Sequence, residues 1–152
     1  MNNLSLAQNA EKILKAHNPF RKCFLTFITV NKWKKKQIDK IGESFCIEEP
    51  RRLNKPIILH PKLMPRRRGL NKIHARVALI HSLAHIELNA IDLAWDIIAR
   101  FNDYKLPLKF YDDWMDVAKD EALHFLMLTK RLKELGTNYG DLEAHDGLWE
   151  AA

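Results

Sequence analysis

A chain of 152 residues, 47% apolar and 29% charged, is long enough for one domain with a core and is not the composition of a disordered chain. It holds no uncharged apolar run near the roughly 20 residues that span a bilayer and no apolar signal core at its N-terminus. Its two cysteines, Cys23 and Cys46, are too few for a disulfide framework and have no metal-ligand spacing. A cytoplasmic protein with free thiols and no membrane partner is the expectation. The charge of +6 is uneven: residues 1–70 hold 16 Lys/Arg against 5 Asp/Glu, and residues 71–152 hold 9 against 14. A basic first half attracts RNA, DNA or an acidic partner, or is simply a solvated surface.

Ser5-Leu6-Ala7-Gln8 has the form of a capping box, and Ala7, Ala10, Ile13 and Leu14 share a stripe, so a short helix is expected from about Leu6 to Ala16. Asn18-Pro19 ends it and opens a second, running to about Ile38. Within that helix end, Lys34, Lys35 and Lys36 are candidate phosphate contacts or a solvated terminus. In residues 49–70, Pro50, Pro56, Pro61 and Pro65 recur too often for a helix. An extended arm is expected there, tacked down by Ile57, Ile58, Leu59, Leu63 and Met64 and carrying a second basic cluster, Arg66, Arg67 and Arg68. Residues 71–101 hold no Gly or Pro and predict a helix of about 45 Å. A turn at 102–107 leads to another helix over 110–135, with Gly136 at the glycine-cap position. From Leu148 a further helix is just beginning. The reading is all-α: an N-terminal helical region (1–48), the arm (49–70) and an antiparallel αα-hairpin (71–152).

The hairpin carries the chemistry. One stripe of the first long helix reads Ile73, Val77, Ile80, Ala84, Glu87, Ile91, Ala94, Ile98 and Phe101; one of the second reads Trp114, Val117, Glu121, His124, Leu128, Leu132 and Leu135. Only Glu87, Glu121 and His124 interrupt them, and no Lys or Arg lies on either stripe. A buried carboxylate costs several kcal/mol without compensation, and a metal ion would supply it. Glu121 and His124, three apart, point the same way. The alternative is that the stripes are misphased and these groups are solvated. His81 and His85 lie about 120° and 160° from Glu87 around the helix, so they are expected to pack or hydrogen-bond against the N-terminal arm rather than share its ion. Together with Asp120 they are candidates for steadying the ligands from behind. Trp95 and Trp114 are expected in the core.

The segments ALIHSLAHIELNAIDLAWDIIARF and FYDDWMDVAKDEALHFLMLTKRLKELGTNYGDLEAHDGLWEAA closely resemble the ferritin-like family of uncharacterised bacterial proteins designated domain of unknown function 455. The resemblance covers nearly the whole chain and is weakest over residues 1–48. It implies a ferritin-like bundle with a carboxylate-bridged di-iron or di-manganese site. Glu87 matches the first-helix ligand, and Glu121 with His124 matches the second-helix pair. Related ferritin-like branches include oxygen-dependent hydroxylases, one acting on a modified tRNA base. Members of the family continue into two further helices with a second Glu and a second Glu-x-x-His, whereas this sequence stops at Ala152. Half a four-helix bundle and half a site are therefore expected, completed by a homodimer or by a chain supplying the missing helices, or else left as a truncated remnant. The functions implied are a di-metal oxidoreductase or hydroxylase, a non-catalytic metal-binding protein, or a basic module for RNA or protein.

Overall fold

The computed structural model describes residues 4–65 and 72–152. Arg66, Arg67 and Arg68 lie outside the described residues. The described residues hold five α-helices and no strand: α1 (Leu6–Leu14), α2 (Pro19–Lys34), α3 (Ile73–Arg100), α4 (Leu108–Glu134) and α5 (Gly147–Glu150).

The helix ends follow local chemistry. The Ser5 side chain accepts from the Gln8 N–H and the Gln8 side chain accepts from the Ser5 N–H, completing the capping box. Asn18 caps α2, with Pro19 as its first residue. At the end of α4, Gly136 is left-handed (φ 80°). The Gly136 and Thr137 N–H groups there donate to Lys133 and Leu132, a glycine cap as expected. Helix α2 stops short of the expected Ile38. Lys36 takes the left-handed conformation (φ 55°) that glycine usually supplies, and Gln37 donates back to Lys32. The chain then returns along α1, where the Leu6 and Ala7 N–H groups donate to Lys40 and Ile41. Gly42, with φ +90°, is required in that return, because a side chain would collide with the capping Ser5.

Helices α3 and α4 form the expected antiparallel hairpin, and α1 and α2 pack on α3 and α4 respectively. The N-terminal region thus shares one core with the hairpin. That core holds Leu6, Ile13 and Leu14 of α1, Cys23 and Val30 of α2, Ile91, Trp95 and Ile98 of α3, and Tyr111, Met115 and Phe125 of α4. Trp95 is fully buried, its indole N–H donating to Thr26, while Trp114 is only half-buried.

The phase of the two stripes differs from the sequence expectation. Ile73, Phe101 and Val117 are exposed, while His81, His85, Asn89 and Asp92 are buried. Helix α3 is apolar nearly all round, so its periodicity does not fix which side meets the core. By length and composition it is apolar enough to cross a bilayer. It nonetheless carries Glu87, Asp92 and Asp96, and it packs on α1, α4 and α5.

The arm is extended, as its prolines require, apart from one 3-10 turn at Pro61–Leu63. Of the apolar side chains expected to tack it down, Leu59 and Met64 are half-buried, whereas Ile57, Ile58 and Leu63 are exposed. The buried Pro50 and Pro56, Arg52 and backbone bonds hold it as well, Leu59 donating to Ala144 and Ala144 to Ile57.

Candidate metal centre

Glu87 and Glu121 lie seventeen residues either side of Tyr104, in the turn between α3 and α4. In an antiparallel hairpin that register brings them level. Donor atoms of Glu87, Glu121 and His124 all lie within 4.8 Å of one another. His124 Nδ1 is 3.1 Å from Glu121 Oε2 and 3.7 Å from Glu87 Oε2. Both glutamates are half-buried and His124 is half exposed. The trio therefore sits at the open edge of the hairpin, not in its centre, because the core face of α4 is formed by its Tyr111, Ala118, Ala122 and Phe125.

The electrostatics are those of two carboxylates forced together. Burial, then the hydrogen bond to Glu121 and its charge, push the Glu87 carboxyl up to about 7. Its bond with Glu87 lowers Glu121. The bond to Glu121 raises His124, helped by the charges of Glu87, Glu121 and Asp120. Protons thus hold the cluster together, and a cation would take their place. Two carboxylates and an imidazole are a donor set suited to iron or manganese, and no cysteine is among the donors to favour structural zinc.

Asp120 acts on His124 by its charge. The bonds of His81 and His85 run elsewhere. His81 Nε2 accepts from the Gly140 N–H (2.9 Å), and its ring stacks on Tyr139. His85 Nδ1 meets the Tyr139 hydroxyl (2.8 Å) and its Nε2 meets Asp146 (3.1 Å). Both clasp the C-terminal tail rather than the N-terminal arm. Of the basic tract, Lys34 is paired with Asp116 of α4 at 2.5 Å, while Lys35 and Lys36 are exposed.

A second polar cluster was not singled out from the sequence. Lys22 and Asp92 form a fully buried ion pair. Burial drives the Lys22 ammonium down and the Asp92 carboxyl up, and each is opposed by the other's charge. Arg52 from the arm donates to Asn89 and Asp146. The spacing of His81, His85, Asn89 and Asp92 marks this stripe in the sequence, but nothing there names Lys22, Arg52 or Asp146 as partners.

The comparisons place the chain among relatives. A family model described as "Protein of unknown function (DUF455)" matches residues 15–152. An uncharacterized protein of Haemophilus influenzae is 36% identical over 155 residues, an alignment covering 95% of this chain and 54% of the relative. The chain thus spans about half the length of that curated relative. No solved structure matches. With the family model covering most of its length, the chain belongs to the DUF455 family.

Proposed function

We propose that this chain is a ferritin-like metal-binding protein that holds iron or manganese through Glu87, Glu121 and His124, in the service of an oxygen-dependent oxidation. The observation that carries this reading is the convergence of three donors within 4.8 Å from the middles of two antiparallel helices. One Glu opposite a Glu-x-x-His pair is the unit from which carboxylate-bridged two-metal bundles are built. The raised Glu87 carboxyl supports it, since a carboxylate desolvated by burial and pressed against a second carboxylate is one that a cation relieves. When bound, a pair of redox-active ions would supply electrons to oxygen.

The chain's own residues have separable tasks. Glu87 would offer a carboxylate to a bound ion from the opposite helix. Glu121 would ligate a bound ion, and its carboxylate orients the His124 ring through Nδ1. Asp120 adds negative charge beside that ring. Both cysteines are free, in keeping with a reducing cytoplasm.

The test is elemental analysis of protein purified with iron, and separately with manganese, beside Glu121→Ala and His124→Ala. Metal in the wild type and its loss in both variants is the expected result. Equal metal content in all three would sink the assignment. Iron-dependent oxygen consumption then separates an oxidase from a passive metal binder.

A further inference from the structure

We propose that the junction of α2, the arm and the C-terminal tail holds a site for one small monovalent anion of the halide class, bound by Lys22 and Arg52. The site stands apart from the metal centre and does not depend on it. A cavity of about 20 Å³ lies at this junction, room for one small guest. Lys22, Arg52, Lys55, His17 and Tyr139 line it, and no Asp or Glu does among the described residues. The rest of the wall is apolar. It includes Pro19, the first residue of α2, so the positive end of that helix's dipole lies beside the cavity.

Two of the cationic groups in the wall have donors left to give. Lys22 is fully buried, and its ammonium carries three N–H donors. Leu14 O accepts one at 3.2 Å and Asp92 Oδ1 another. No third protein acceptor meets it among the described residues. Arg52 spends Nη1 on Asp146 and Nη2 on Asn89, while its Nε is buried without a hydrogen bond. A buried donor left unmet is costly. The carboxylates that answer these charges stand outside the cavity. Asp92 Oδ2, the other buried atom without a hydrogen bond, is 3.5 Å from Arg52 Nη2. The Tyr139 hydroxyl is engaged by His85 Nδ1 at 2.8 Å. A wall rich in donors and free of carboxylates suits a guest that accepts and has no proton to give, which is an anion rather than water. A monatomic ion fits the space, whereas sulfate or phosphate, with four oxygens around a centre, does not. Bound there, the anion ties α2, the arm and the tail at one point and adds stability that grows with its concentration.

The test is thermal melting of the full chain as sodium chloride or bromide replaces sodium gluconate at constant ionic strength, with anomalous diffraction from crystals soaked in sodium bromide. The expected result is a saturating rise of about 2–4 °C at halide a few times its Kd, and a bromide peak in the cavity beside Lys22 and Arg52. Arg52→Lys keeps the charge facing Asp92 and Asp146 but removes Nε, and should raise the halide Kd about tenfold or more. Lys55→Gln alters an exposed wall group and should raise it less, so the proposal stays testable if the Arg52 variant does not fold. Melts that are the same in halide and gluconate would overturn the inference, as would a halide effect unchanged in both variants or an ordered water in place of bromide. A bromide peak with no effect on the melt would be an adventitious ion only and would overturn it as well.

Discussion

Two groups of polar side chains sit on different sides of α3 and are satisfied in different ways. On the core side, His81, His85, Asn89 and Asp92 are buried, and protein groups from α2, the arm and the tail meet each of them. On the open side, Glu87 is only half-buried, yet it is pressed against another carboxylate and no Lys or Arg pairs with it in the cluster. Burial of polar groups therefore does not by itself mark a ligand site. The deeper cluster is paired by protein groups, with only Asp92 Oδ2 and Arg52 Nε lacking a hydrogen bond among the described residues, and it ties segments together. The shallower one is strained in a way that a cation would relieve.

The comparison breaks most sharply at Asp92. Asp92→Ala leaves the Lys22 ammonium fully buried with its ion partner gone. A loss on the order of 3–5 kcal/mol is expected, read as a lower urea midpoint. A loss below about 1 kcal/mol would mean that Lys22 finds water or another partner.

His81 makes the core side sensitive to acid. Its ring accepts the Gly140 N–H and, largely through burial, stays neutral down to about 4. In an unfolded chain it takes a proton near 6.5. Between those values the unfolded chain binds more protons, so stability falls as pH drops from about 6.5 to about 4. At about 1.4 kcal/mol per unit, the loss is on the order of 3 kcal/mol. Urea titrations across that range check it, and His81→Asn should flatten the slope.

On the open side the expectation reverses. Glu121→Ala should change apo stability by less than about 1 kcal/mol, because the side chain is partly solvated and its removal also relieves Glu87. Its effect falls on metal instead, where a lost ligand should cost more than the 10–100-fold typical of groups behind the ligands. Thermal melts with and without Mn2+ separate the two quantities. A variant that melts much lower without metal would place Glu121 among the structural groups.

Much of this was legible in the sequence, and the exceptions have physical causes. The capping box at Ser5, the hairpin and the Gly136 cap depend on neighbours within a few residues. The level meeting of Glu87 and Glu121 follows from helix lengths alone. The end of α2 was not legible, because Lys36 takes a conformation that its side chain does not announce. The facing of α3 was hidden by its nearly uniform apolar surface, which left its two sides to be decided by α1, the arm and the tail. For the same reason the partners of Asp92 could not be named: Lys22 and Arg52 reach it from distant segments.

The smallest effect concerns the basic tract. Lys34 is paired with Asp116 at 2.5 Å, but both side chains are about half exposed. Lys34→Ala should therefore change stability by less than about 1 kcal/mol, and high salt should erase the difference. The same variant tests whether the tract grips nucleic acid. Removing one phosphate contact lowers the salt slope of single-stranded RNA binding by about 0.7. A charge already spent on Asp116 is expected to leave that slope unchanged. A measurable drop would mean that Lys34 leaves its carboxylate for phosphate, giving the basic N-terminal half a role separate from the metal centre.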